Sequence, residues 1–282
     1  MAPNPQALPE TSALSSTYVE DVTEALESVG AISVSDAVSS EFVTATQSAL
    51  YGAQKSIHKE IPPDRLSRAR ELGVARIPMK WDAHFFRFFE LPAVLDVIDA
   101  TVGETAICHL QNGFILPSRD DGEEEISVFQ NTMHRDFPRY LNGYCASINT
   151  FFAMSDFTPA AGGTKLLPAT HQRPDSWFPP DTAAADAIDF ICPAGTMLVF
   201  DSTLWHAAGD NVSGSDRLAI NHQWTKSFLK QQIDYVRALG DEVVLRQAPR
   251  TQQLLGWYTR VVTSLDAFYR PAEERLYRSG QG

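Results

Sequence analysis

The chain has 282 residues, 44% of them hydrophobic, which is enough for one large domain with a single core. Its net charge of −12 argues against a nucleic-acid substrate, because phosphate recognition needs a basic face. No stretch approaches the roughly 20 consecutive apolar residues of a membrane helix, and three widely spaced cysteines favour free thiols over a disulfide framework. We therefore expect a cytoplasmic monomer or small homo-oligomer without nucleic-acid or membrane partners.

The N-terminal part of the chain reads as a tail followed by helices. Residues 1–17 have neither the basic start nor the apolar run of a signal peptide, and we expect them to be a disordered tail. The section 18–103 is predicted to be helical, apart from a short strand at 31–34. Amphipathic spacing and terminal Pro and Gly residues predict helices over 18–29, 37–52, 62–73 and 91–103.

From residue 104 the pattern changes to short β-rich runs separated by turn residues. Several short strands at this spacing indicate a sandwich or barrel and not βαβ units. Helical patterning returns over 228–282, so the prediction is one domain, 18–282, with a β-core at 104–227. The predicted strands lie within 104–117, 126–130, 144–154, 164–168, 195–200 and 216–225.

The first candidate motif is His134-Arg135-Asp136, directly after the predicted strand 126–130. Side chains alternate along an extended chain, so His134 and Asp136 are expected to point one way and Arg135 the other. One imidazole and one carboxylate that project together form two sides of an iron(II) facial triad. The triplet alone is weak evidence, because it arises by chance in many proteins.

Two later residues complete a more specific pattern. His206 is expected to close a strand 70 residues after Asp136, and a sheet that folds back can close that separation. Two histidines and one aspartate leave about three positions on octahedral iron, enough for a bidentate keto acid and dioxygen. Arg217, 11 residues after His206, carries the planar fork that suits the distal carboxylate of 2-oxoglutarate.

Two segments carry a family resemblance. FFAMSDFTPAAGGTKLLPATHQRP (151–174) resembles the central signature of the phytanoyl-CoA dioxygenase family, and GTMLVFDSTLWHAAGDNVSGSDRLAINHQW (195–224) resembles its closing half. The resemblance covers roughly residues 20–225. It implies a mainly β fold with flanking helices, built on a double-stranded β-helix, or jelly roll.

The resemblance also implies the ligands of the site. Iron(II) is expected on His134, Asp136 and His206, and 2-oxoglutarate, the co-substrate used together with dioxygen, on Arg217. Asn149 falls where the family often has a polar residue that contacts the co-substrate. Gln111, two residues after His109, similarly matches a co-substrate position. His171 is interpreted as a loop-stabilising residue and not a metal ligand. The other histidines lack the triad spacing and are interpreted as structural or surface residues: His58, His84, His109 and His222.

The predicted function is oxidation, in the simplest case hydroxylation, of a small molecule. Asp136 argues against halogenation, since related halogenases lack the carboxylate ligand. The acidic run 120–125, at the expected mouth of the pocket, disfavours coenzyme A phosphates and favours a small, cationic natural product or amino-acid derivative. We therefore expect a tailoring enzyme of natural-product biosynthesis. Two alternatives stay open, a non-enzymatic cupin-type metal binder, which would not need Arg217, and a metal-dependent hydrolase, which would not need a keto acid.

Overall fold

Two β-sheets face each other in the structure, a computed structural model that describes residues 7–119, 131–180 and 185–275. In these residues ten strands form one sheet of seven and one of three. This is the jelly-roll fold with flanking helices that the sequence predicted. The strands are β1 (Glu10–Ser12), β2 (Ala31–Ser35), β3 (Val74–Arg76), β4 (Ile107–Leu116), β5 (Ser147–Ala153), β6 (Thr164–Leu166), β7 (Ile188–Phe190), β8 (Met197–Asp201), β9 (His206–Ala208) and β10 (Arg217–Thr225).

The helices precede and follow the β-core, and several contact strands of the larger sheet. None within the described residues is long and apolar enough to cross a bilayer. Four phenylalanines between 85 and 89 lie in a 3-10 helix, Ala83–Glu90, and are buried in the core. The α-helices are α1 (Tyr18–Ser28), α2 (Ser40–Glu60), α3 (Pro63–Arg68), α4 (Pro92–Thr101), α5 (Tyr235–Leu239), α6 (Asp241–Leu245), α7 (Pro249–Leu254) and α8 (Leu265–Phe268).

The larger sheet has the strand order β1-β2-β8-β5-β10-β4-β3, and the smaller sheet has the order β7-β6-β9. The pairings are antiparallel except that of β1 with β2. β10 pairs with β4 on one side and with β5 on the other, and all nine of its residues are buried. A central strand of this kind can carry functional side chains in a rigid frame.

The alternation of β10 separates two cores. Its even-numbered residues Leu218, Ile220 and Trp224 belong to the main apolar cluster, together with the phenylalanines of the 3-10 helix and the helices around it. Its odd-numbered residue Ala219 belongs to a second cluster between the two sheets. Each fully buried large apolar side chain contributes about 1.5–3 kcal/mol to stability, so the larger first cluster contributes most to holding the sheet. The second cluster is smaller and borders a cavity between the sheets.

Several details differ from the sequence prediction. Residues 10–12 were assigned to a disordered tail, but they form β1, whose backbone pairs with β2. α2 starts later and runs further than predicted, and α3 ends before the predicted stop at Gly73. The short strands β3 and β7 were not predicted, because three residues are too few to show a period. The acidic run 120–125 and the predicted strand 126–130 lie outside the described residues.

Candidate metal centre

Backbone pairing places the two candidate histidines side by side. His206 opens β9 and does not close a strand as predicted, and its register partner in β6 is Leu166. On its other side His206 forms an isolated antiparallel bridge with His134. The His134 N–H donates to the His206 carbonyl at 2.9 Å, and the His206 N–H donates to the His134 carbonyl at 3.0 Å. The two rings consequently lie 4.3 Å apart between centroids.

Asp136 completes a compact group of three donor atoms. The Nε2 atom of His134 lies 3.5 Å from Oδ1 of Asp136, and Nε2 of His206 lies 3.7 Å from Oδ2. Among the described residues, one donor atom from each of the three lies within 4.8 Å of the others, so this group could hold a metal ion. The structure thus brings together the three residues that the sequence proposed as ligands.

Two backbone carbonyls fix the orientation of the imidazoles. Nδ1 of His134 lies 2.7 Å from the Thr132 carbonyl, and Nδ1 of His206 lies 2.9 Å from the Leu204 carbonyl. A carbonyl only accepts, so each Nδ1 carries the proton and donates it. In the neutral ring each Nε2 then carries the lone pair and can give it to a metal ion beside Asp136. This is the arrangement in which a histidine binds a metal through one nitrogen and is held through the other.

The charges of the group suit a divalent cation. Burial lowers the pKa of His206 to about 4, although Asp136 opposes the shift, so this ring is neutral at pH 7. Burial alone would raise the pKa of Asp136, but the charge of His206 and the hydrogen bond of His134, which act when those rings are protonated, outweigh it and lower the pKa. For His134 burial is likewise outweighed, and its bond to Asp136 raises the pKa. Two imidazole nitrogens and one carboxylate fit iron(II), and they also fit zinc.

The three residues line a cavity of about 310 Å³ between the sheets. One wall is the inward face of β10, and another is the inward face of β4. Because Arg217 is opposite Leu116 and Gln223 is opposite Leu110, the cavity follows these two strands along their length. Its described lining includes Arg76, His109, Leu110, Asn112, Phe114, Leu116, His134, Arg135, Asp136, Pro138, Phe151, Thr164, Phe200, His206, Arg217, Asn221, Gln223 and Gln232.

Arg217 lies at one end of this cavity and is buried. Its Nη1 donates to the carbonyls of Ala161 and Gly209, at 3.2 and 3.0 Å, and its guanidinium lies over the ring of Phe157. Burial lowers the pKa of Arg217 to about 10, which leaves it charged at neutral pH. Arg217 forms no ion pair with any residue that the structure describes. The charge of Asp210 acts on Arg217, but Asp210 is paired with Arg119. A buried cation without a direct ion pair is suited to an anionic ligand.

Two glycines make the support of Arg217 possible. A Cβ atom on Gly162 would lie 1.9 Å from the Asp210 carbonyl oxygen, and one on Gly209 would lie 2.6 Å from the Gly163 carbonyl oxygen. The two backbone segments can approach this closely only without side chains. Gly162 and Gly209 therefore allow the Ala161 and Gly209 carbonyls to come within reach of one guanidinium.

The structure separates the two other residues that the sequence proposed for the co-substrate. Asn149 is fully buried next to Asp136, and its side chain is bonded to protein groups and does not line the cavity. Gln111 lies on the opposite face of β4, where its Nε2 donates to the Phe85 carbonyl at 3.0 Å and lies 2.8 Å from Nε2 of His222. Gln111 therefore lies outside the cavity in which the co-substrate is expected.

Several lining residues were missed or misread. His109 was interpreted as structural, but it lines the cavity, because a bulge interrupts the pairing of β4 with β10 between Leu110 and Cys108. Arg135 was expected to point away, yet it also belongs to the lining, with its guanidinium over Trp205. Asn221 and Gln223 could have been found by counting in twos from Arg217. Gln232 lies beyond the predicted β-core, and no sequence signal marks it.

Comparisons with known proteins agree with this geometry. The family model "Phytanoyl-CoA dioxygenase (PhyH)" matches residues 26–219. The chain belongs to the PhyH family. An uncharacterized Mycobacterium tuberculosis protein, Rv1501, is 55% identical over 269 residues, which cover 94% of this chain and 97% of that protein. A dioxygenase of Talaromyces verruculosus, cdmD, is 30% identical over 125 residues, which cover 44% of this chain and 40% of that protein.

Solved structures of non-heme oxygenases share the fold. The non-heme monooxygenase ThoJ, as a nickel complex, is 19% identical with a TM-score of 0.56 over 76% of this chain and 80% of its own. EvdMO1 is 15% identical with a TM-score of 0.57 over 74% of this chain and 50% of its own. Identities this low show the fold alone. PhyH family membership, however, makes the chain an oxidoreductase of the oxygenase type, with a His–Asp–His site that can hold a metal ion.

Proposed function

We propose that the protein is an iron(II)- and 2-oxoglutarate-dependent dioxygenase that oxidises, in the simplest case hydroxylates, a small molecule. One observation carries the proposal. The His134–Asp136–His206 group and the buried guanidinium of Arg217 line the same cavity. A metal binder or a hydrolase would need only the His–Asp–His group. A dioxygenase needs both features, because its co-substrate has a keto acid at one end and a carboxylate at the other.

Each residue has a defined part in this proposal. His134, Asp136 and His206 would hold iron on one face and leave its other positions open. Iron(II) with 2-oxoglutarate supplies the activation of dioxygen, which releases succinate and carbon dioxide and delivers oxygen to the substrate. Arg217 binds the distal carboxylate by charge-assisted hydrogen bonds from the guanidinium edge that its two carbonyl contacts leave open. The fixed guanidinium thereby orients the co-substrate along β10.

The substrate is expected at the other end of the cavity. Arg217 and Leu116 occupy one end of the strand pair, so His109, Pro138 and Gln232 surround the space that the co-substrate leaves. Phe114, Phe151 and Phe200 make part of the wall apolar, which excludes water from the reacting groups. We expect a natural-product intermediate, processed by a tailoring reaction. The cationic charge expected from the acidic run 120–125 stays a prediction, because that run lies outside the described residues.

An anaerobic titration tests the proposal directly. The protein loaded with iron(II) is titrated with 2-oxoglutarate, and the metal-to-ligand absorption band is followed; air is then admitted and succinate is measured. We expect a saturable band and slow succinate formation that requires iron. A metal-dependent hydrolase or a passive metal binder would give neither signal, and the absence of both would refute the dioxygenase proposal.

A further inference from the structure

Asp136 lies on a segment that has no strand to hold it. The segment 135–146 forms no named helix or strand, although His134 next to it is tied to β9 by the backbone bridge. A carboxylate on irregular backbone can rotate unless other groups hold it, and a metal ligand must keep its orientation. The contacts around Asp136 therefore decide how well the centre is preformed.

Asn149 contacts the carboxylate of Asp136. It lies on the inward face of β5 and is fully buried, and its side chain donates a hydrogen bond to the Asp136 carboxylate, which helps to lower the pKa of that carboxyl. The second hydrogen of its Nδ2 goes to Oγ of Ser202 at 2.8 Å. Its Oδ1 accepts from Nδ2 of Asn221 at 3.0 Å. Every polar atom of this amide is thus engaged, so its plane is fixed.

Ser202, directly after β8, binds the Asn149 side chain and also binds the backbone of the segment that carries Asp136. Its carbonyl accepts from the Phe137 N–H at 2.8 Å, directly after Asp136. Its Oγ accepts from Oγ of Ser147 at 2.7 Å, and Ser147 in turn accepts from Nε2 of Gln223 at 3.0 Å. The side chains come from the adjacent strands β5 and β10 and from the turn after β8, and all are buried. We call this network the amide–hydroxyl ladder: Asn149, Asn221, Ser202, Ser147 and Gln223.

We propose that Asn149 is a positioning residue, which, with the amide–hydroxyl ladder, sets the orientation of the Asp136 carboxylate and thereby the metal affinity of the centre. The inference rests on the metal site of the proposed function, not on the identity of its co-substrate. It also replaces the expected role of Asn149, because an amide occupied by Asp136, Ser202 and Asn221 has no group left for 2-oxoglutarate.

Cobalt(II) binding tests the proposal without any turnover. The metal-free protein and its variants are titrated with cobalt(II), and the d–d absorption band gives both the dissociation constant and the coordination geometry. Loss of an outer hydrogen bond to a metal ligand typically weakens binding 10- to 100-fold. We expect a loss of about this size for Asn149→Ala, with a changed band shape. Ser202→Ala should give a smaller loss in the same direction.

A matched control comes from the next residue of β5. Thr150 points to the opposite face, where its Oγ1 accepts from Nε1 of Trp224 at 2.9 Å. Thr150→Val removes a buried hydrogen bond from the same strand, so it should lower the melting temperature as Asn149→Ala does. It should leave the cobalt affinity and band shape unchanged. A merely structural role of Asn149 would make the two variants alike.

The double variant adds a second check. If Ser202 acts on Asp136 largely through the side chain of Asn149, then Asn149→Ala with Ser202→Ala should bind cobalt little worse than Asn149→Ala alone. Wild-type affinity in Asn149→Ala, or an equal loss in Thr150→Val, would overturn the positioning role. Failure of the wild-type protein to bind cobalt would instead overturn the metal centre itself. Cobalt binding without any use of 2-oxoglutarate would refute the dioxygenase proposal but would not affect the positioning role of Asn149.

Discussion

Two buried histidines lie in opposite environments. His206 faces the cavity between the sheets, and His222 lies in the main core on the other side of the larger sheet. Burial lowers both pKa values, to about 4 for His206 and about 3 for His222, with weaker opposing effects from neighbouring groups. Neither burial nor pKa tells them apart.

Their partners do. His222 is stacked on Trp224, with ring centroids 5.4 Å apart and planes 6° apart, and its Nε2 contacts Gln111. His206 has Nδ1 bonded to a backbone carbonyl and Nε2 directed at Asp136. A ligating histidine is therefore recognised by a fixed second nitrogen and an acidic neighbour, whereas a structural one is recognised by aromatic contacts. This difference can be tested by substitution on both sides of the sheet.

The largest expected contrast is between His206→Ala and His222→Ala. His206→Ala removes one of three donors, so stoichiometric metal binding and succinate formation should both be lost; His134→Ala should behave alike. His222→Ala removes an aromatic stack from the core, which we expect to cost about 3 kcal/mol of folding free energy while the protein that remains folded binds metal normally. Metal content, succinate release and urea unfolding measure these effects. Normal succinate formation in His206→Ala would contradict the ligand assignment.

Asp136 should show a graded loss. In Asp136→Ala two imidazoles remain, so part of the metal binding should persist while 2-oxoglutarate turnover falls to background. Asp175 is a suitable comparison, because its carboxylate lies 3.5 Å from Nη2 of Arg135 and outside the His–Asp–His group. Asp175→Asn should keep both metal and turnover. Turnover at the wild-type rate in Asp136→Ala would show that another group supplies the carboxylate.

Arg217 tests the co-substrate end of the cavity alone. Removing one partner of a buried charged pair typically costs about 2–5 kcal/mol, which corresponds to roughly 30- to several-thousand-fold in affinity. Arg217→Ala should weaken 2-oxoglutarate binding by this factor in the anaerobic titration, with unchanged metal content. Arg217→Lys should recover part of the loss, since it keeps the charge without the fork. An unchanged titration curve in Arg217→Ala would place the anchor elsewhere.

The smallest effect on co-substrate binding is expected for Gln111, on the core face of β4. Gln111→Met removes its bonds to the Phe85 carbonyl and to His222, which should cost about 1–3 kcal/mol of stability. The 2-oxoglutarate titration should match that of the wild type. Chemical unfolding and the titration, run on the same preparation, separate the two effects. Weaker co-substrate binding without loss of stability would restore the role that the sequence suggested.

Gln111 also shows where sequence reasoning fails. The family resemblance gave it a co-substrate position two residues after His109, and two residues along a regular strand share a face. The bulge at His109 adds one residue, so Leu110 and Asn112 face the cavity and Gln111 faces the core. A shift of one residue reverses every side chain of a strand, and nothing in the local sequence reveals a bulge.

The part of the site that could be predicted depends on local rules. Arg217 opens a strand at a recognisable distance from His206, and the period of two gives the inward face of β10 without a structure. The bridge between His134 and His206 and the hydrogen bond from Asn149 to Asp136 depend instead on how distant strands meet. The resemblance placed Asn149 near the co-substrate, and its side chain does lie on the inward face of β5, but the resemblance did not indicate that it is buried behind Asp136.

The backbone bridge between His134 and His206 has a consequence for how the protein folds. The two residues are 72 positions apart in the chain, and β5 to β8 lie between them in the sequence. Contacts between distant parts of a chain form slowly, because closing long loops costs entropy first. We expect the metal centre to assemble late, on a β-core that has already folded, so that refolding should proceed at the same rate with and without metal.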